Sequence, residues 1–120
     1  MEQVKLCASD YRFMSLVWEN EPINSTQLAK KSLDVLGWKK STAYTMLKKL
    51  SDKGYLKNNS NIVTSIISKS DVQAFESEYV IDNVFDSSLP AFIAAFMKSH
   101  PLSKDEIDEI QALIDQNTED

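Results

Sequence analysis

Between Leu36 and Leu56 the chain reads LGWKKSTAYTMLKKLSDKGYL. At helical spacing Ala43, Met46, Leu47 and Leu50 share one face, and Ser41, Tyr44, Thr45, Lys48 and Lys49 share the other. A solvated helix face normally sets acids against lysines, yet no acid stands here before Asp52. Hydroxyls and ammonium groups in this pattern suit a polyanion that also offers hydrogen-bonding edges. Ser and Thr hydroxyls donate to base edges or phosphates, and a Thr methyl packs on the thymine methyl. Lysines hold phosphates and position a protein without specifying a base. The DNA-contact candidates are Lys39, Lys40, Ser41, Thr42, Tyr44, Thr45, Lys48, Lys49, Lys53 and Lys57. The competing reading of the same residues is an ordinary solvated face.

The charge distribution bears on that choice. The 120 residues carry a net charge of −5, but unevenly. Residues 28–57 hold eight lysines against Asp34 and Asp52, a net +6. Residues 71–120 hold twelve acids against Lys98 and Lys104, a net −10. A polyanion would attract the first segment and repel the second, which implies two jobs in one chain. No run of about 18 apolar residues is present, so no membrane insertion is expected. The opening MEQVKLCASDYR has neither a basic nor an apolar leader region, and Cys7 is the single cysteine. A cytoplasmic location is the expectation.

The same inventory argues against catalysis. One His, one Cys and two Gly leave no nucleophile–base constellation and no phosphate-cradling loop. Asp105-Glu106 and Asp108-Glu109 do not converge as a metal cage does, and they read as a helix start and a solvated face. Neither a metal nor a cofactor is expected. Trp18, Trp38 and Tyr55 sit at element ends on apolar faces and read as core rather than as base-stacking platforms. Cys7 lacks a strongly basic neighbour and reads as inert.

The elements that must position the basic helix follow from local signals. Residues 9–20 form a first helix, capped by Ser9 or Asp10 and ended by Glu21-Pro22. Residues 24–36 form a second, with Asn24 as N-cap, Gln27 at the capping-box position, and Leu28, Ala29, Leu33 and Leu36 facing inward. Gly37 closes it in a left-handed conformation. The third helix runs from about Lys39 to Lys53, with Gly54 after it. Tyr55–Lys57 and Ile62–Ile67 are β-rich runs around the turn cluster 58–61, which makes a hairpin. Three helices and a short β-hairpin wing are the order of a winged helix-turn-helix, whose later helix enters the major groove. The fold class is mainly α, with a DNA-binding domain over 1–69 and a helical dimerisation domain over 70–120.

That second part holds three amphipathic helices. Ser70 with Gln73 starts one, which runs to about Asp86. Ser88 and Pro90 start another. Ser103 to Glu106 is a capping box for the last. Their apolar residues are Phe75, Tyr79, Leu89, Phe92, Ile93, Phe96, Ile107, Ile110, Leu113 and Ile114. So few residues make a poor core alone; the helices could fold back on the N-terminal domain, but a second copy is the expected cover.

At this point LVWENEP, LGWKKSTAYTMLKKLSDKGYL and LSKDEIDEIQALI resemble the penicillinase-repressor family. The landmarks Trp18, Pro22, Trp38, Thr42, Leu47, Leu50, Lys53-Gly54 and Leu102-Ser103 with Glu106 match in order, over nearly the whole chain. The resemblance implies a homodimeric repressor on a palindromic double-stranded DNA operator, serving β-lactam resistance or a related stress operon. Thr42, Thr45 and Lys49 fall on the family's threonine and basic positions. Tyr44 stands where a basic residue is common, and Lys39-Lys40 replaces the usual Ser-Pro start. Family repressors are released by cleavage in the C-terminal arm, commonly between Asn and Phe, through a membrane sensor-protease. The matching bond is Ala95-Phe96. The copper-responsive branch needs a C-terminal cysteine cluster, which is missing. Two alternatives stand beside this reading. One is a winged-helix protein-interaction module that does not bind DNA. The other is a small-molecule-responsive repressor with an effector pocket among Phe75, Tyr79, Phe92 and Phe96.

Overall fold

A computed structural model describes residues 6–118; residues 1–5 and 119–120 lie outside the described residues.

 The element order is α1 (Ala8–Asn20), β1 (Ile23–Asn24), α2 (Ser25–Leu36), α3 (Lys40–Asp52), β2 (Leu56–Asn59), β3 (Ile62–Ser65), α4 (Lys69–Val84), α5 (Leu89–Met97) and α6 (Lys104–Asn117). The fold is the mainly helical winged helix-turn-helix read from the sequence. Two compact units divide the chain, one ending at Glu76 and one beginning at Ser77.

The first unit is built around Phe13, Met14, Leu16 and Val17 of α1, Leu28 and Ala29 of α2, and Ala43, Leu47 and Leu50 of α3. Ile23, Leu56 and Val63 add one buried residue from each strand. Trp18, Trp38 and Tyr55 pack against this core, as their apolar settings predict. Phe13 and Trp38 stack with ring centroids 6.1 Å apart, and the Trp18 indole N–H donates to the Ile67 carbonyl at 3.0 Å.

Several local expectations need correction. Helix α1 starts at Ala8 with Cys7 as its N-cap, so neither Ser9 nor Asp10 caps it. Asp10 instead occupies the third helical position, where its carboxylate accepts the Cys7 N–H at 3.4 Å. Asn24 does cap α2, accepting from the Thr26 N–H at 2.8 Å, and Gly37 closes that helix at φ 72°. Leu33, however, is 52% exposed. The inward line of α2 is Ser25, Leu28, Ala29 and Ser32, so two serines occupy core-facing positions that apolar periodicity passes over. In the hairpin, β2 continues through Asn58 and Asn59, and the turn is Ser60-Asn61 alone, at φ 52° and 68°. Two consecutive positive φ values make the tight turn whose twist matches the flanking strands.

The sheet has a third strand that sequence patterning did not indicate. Its order is β1-β3-β2, all antiparallel, with Ile23 opposite Val63 and Leu56 opposite Ser65. Two residues carry too short a pattern to read as a strand; the partner β3 selects them. Glu21 fastens the same edge, its carboxylate accepting from the Ser65 N–H at 2.8 Å and the Ser65 hydroxyl at 2.8 and 2.9 Å.

Helix α4 begins two residues early: Ser68, rather than Ser70, caps it by accepting the Asp71 N–H at 3.0 Å. Val72 is fully buried. In the second unit Ser88 caps α5, with Pro90 in the first turn, and Ser103 with Glu106 forms the expected capping box of α6. Among the described residues from Ser77 onward none is buried. No single helix among the described residues is long and apolar enough to cross a membrane.

Candidate nucleic-acid interface

Helix α3 buries Ala43, Leu47 and Leu50, which fixes the direction of everything else on it. At about 100° per residue, the line farthest from that core is Ser41, Thr45, Lys48 and Asp52. All four positions are exposed. Thr42 and Lys49 lie on one flank, and Tyr44 and Ser51 on the other. The Thr45 hydroxyl donates to the Ser41 carbonyl at 2.9 Å, which leaves its oxygen lone pairs and its methyl for an outside partner. Tyr44 is half-buried, with the Lys40 ammonium 5.9 Å from its ring centre.

Beside α3 the hairpin closes a shallow groove of about 330 Å³ lined by Tyr44, Leu47, Lys48, Ser51, Asp52 and Asn58. The first turn of α3 carries Lys39 at the N-cap with no side-chain cap bond, followed by exposed Lys40, Ser41 and Thr42. Lys57 is exposed on β2. The Asn-rich tip, Asn58 to Asn61, brings amide groups but no charge to this side.

Two of the candidate lysines have a different environment. Lys49 Nζ lies 2.9 Å from Asp10 Oδ1, and Lys53 Nζ lies 4.0 Å from Asp10 Oδ2. The Asp10 side chain is 2% exposed, against 42% for Lys49. Burial pushes the Asp10 pKa up, but the Lys49 and Cys7 hydrogen bonds and the Lys49 charge outweigh it and hold the carboxyl below the usual carboxylate value. The hydrogen bond to Asp10 raises the Lys49 ammonium above its ordinary value, against a smaller desolvation effect. Sequence reading treated Asp10 as a helix cap. Its real partner is 39 residues away, and only the acid in the first turn of an apolar helix hinted at it.

Cys7 also departs from its sequence reading. A hydrogen bond with the Ser9 hydroxyl, at 3.2 Å, is the main influence holding the exposed thiol below its ordinary pKa. Among the described residues no cluster of His, Cys, Asp and Glu could hold a metal ion.

The candidate dimerisation residues are spread over α4, α5 and α6. Tyr79, Leu89, Phe96, Ile107, Leu113 and Ile114 are exposed, while Phe75, Phe92, Ile93 and Ile110 are half-buried. Phe92 packs edge-to-face on Phe85 at 5.3 Å, and Phe96 stacks on His100 at 4.9 Å. Ala95 and Phe96 are both exposed in the last turns of α5.

Three helices with a small antiparallel sheet beside the third, and a basic hydroxyl face on that helix, define a winged-helix protein. The chain belongs to the penicillinase repressor family, which it matches over residues 6–116. It is similar to the methicillin resistance regulatory protein MecI of Mammaliicoccus sciuri and to that of Staphylococcus aureus (strain N315). Each is 20% identical over 116 residues, covering 93% of this chain and 94% of the relative.

Proposed function

We propose that this protein is a cytoplasmic, DNA-binding transcriptional repressor that acts as a homodimer on a palindromic operator. The observation that carries the reading is the outward face of α3, where Ser41, Thr42, Thr45 and Lys48 stand exposed on a helix held rigidly by three buried residues. Ser41, Thr42, Thr45 and Tyr44 read base edges, and exposed lysines hold phosphates. Residues 1–69 form the DNA reader and residues 70–120 the dimerisation arm. Two α3 helices enter successive major grooves roughly 34–36 Å apart. Occupancy of the promoter excludes polymerase. The relatives are methicillin resistance regulatory proteins, which supports a β-lactam resistance or related stress operon as the target.

Release follows from proteolysis in the arm by a membrane sensor-protease, at Ala95-Phe96. That bond lies within α5, so the helix must open locally before an extended substrate can be cut.

The test is an anisotropy titration of duplexes from the region upstream of the protein's own gene, at two salt concentrations. Tight binding that weakens steeply with salt, and is lost in Thr42→Ala/Lys48→Ala, is expected. Equal, weak binding of any duplex by both proteins overturns the repressor reading and favours a protein-interaction module.

A further inference from the structure

Lys48 and Lys49 are neighbours of the same type, yet the fold sends them to different places. Lys48 stands on the outward line of α3, whereas Lys49 turns toward α1 and meets Asp10 at 2.9 Å. Lys53, one turn further on, reaches the other oxygen of the same carboxylate at 4.0 Å. Asp10 is 1% exposed, and its carboxylate also accepts the Cys7 N–H.

We propose that Asp10 is a positioning residue for α3, holding Lys49 and Lys53 back from DNA so that Lys39, Lys40 and Lys48 are the phosphate-binding lysines of that helix. The inference rests on the DNA-binding reading and assigns its contacts. Its reason is the asymmetry between the two possible partners of Lys49. A phosphate gained at a surface lysine releases a counterion. Moving Lys49 to that phosphate would leave a carboxylate in the interior with no cation closer than Lys53 at 4.0 Å, and breaking a buried pair costs more than an exposed pair returns. Lys49 therefore stays. The clasp also sets the angle of the C-terminal half of α3 against α1, which decides how far Ser41, Thr42 and Thr45 reach into a groove.

The test uses the full chain and the promoter-derived duplex, with affinity measured across a series of salt concentrations. The readout is the slope of log affinity against log salt, which loses about 0.9 for each phosphate contact removed. Lys48→Gln is expected to make the slope shallower by about 0.9, and Lys49→Gln to leave it at the wild-type value. Asp10→Asn frees Lys49 and Lys53 and steepens the slope by about 0.9 for each that reaches a phosphate; adding Lys49→Gln and Lys53→Gln to that variant restores the wild-type value. A Lys49→Gln slope that falls as the Lys48→Gln slope does overturns the proposal, as does a folded Asp10→Asn protein with an unchanged slope. If circular dichroism shows Asp10→Asn unfolded, Lys49→Gln decides alone. Wild-type protein without salt-dependent binding overturns the DNA-binding reading, and the proposal with it.

Discussion

Replacing Leu113 and Ile114 together by alanine tests whether α6 is covered by a second copy. In the single chain these side chains are 59% and 50% exposed. Full burial of a Leu or Ile is worth about 1.5–3 kcal/mol, so the half left for a partner to cover is worth roughly 0.7–1.5 kcal/mol per residue. A symmetric interface presents each residue twice. The double variant therefore loses about 3–6 kcal/mol of association, which raises the dimer dissociation constant by roughly 10²–10⁴-fold. Sedimentation equilibrium over a concentration series reads this directly, with circular dichroism confirming that the helices persist. Alanine favours helix, and the Ser103–Glu106 box at the start of α6 is untouched. A dissociation constant within threefold of wild type would refute the reasoning, because the exposed faces would then have no part in assembly. The operator affinity should fall with dimerisation, since two linked readers gain from each other's anchoring.

Two further outcomes concern the first unit. Ser32→Ala removes a hydroxyl that is buried with no hydrogen-bond partner among the described residues, and should raise stability by about 1 kcal/mol in urea unfolding. Asp10 gives a pH signature: its folded pKa lies below the unfolded value of about 3.9, so its stabilisation is fully present above that value and is lost as pH falls through the folded pKa. Acid titrations of unfolding free energy should show wild type losing stability over that window, while Asp10→Asn is less stable at neutral pH and loses less on acidification.

The sequence by itself determined what is local. Gly37 after an apolar run, Pro90 behind Ser88, and Ser103 three residues before Glu106 each satisfy backbone groups within one turn, so residue type and spacing were enough to place those helices. The buried stripe of α3 was legible for the same reason, and with it the outward Ser41, Thr45 and Lys48. Tertiary structure decided what depends on partners distant in the chain. Strand β1 exists because β3 offers it a hydrogen-bonding edge, and its two residues have no pattern of their own. Ser25 and Ser32 face the core while Leu33 faces solvent, because packing geometry rather than polarity sets which line of α2 meets its neighbours. Asp10 looked like a cap and became a clasp, since a carboxylate's partner is whichever cation the fold brings within about 4 Å, and that distance is not written in spacing along the chain.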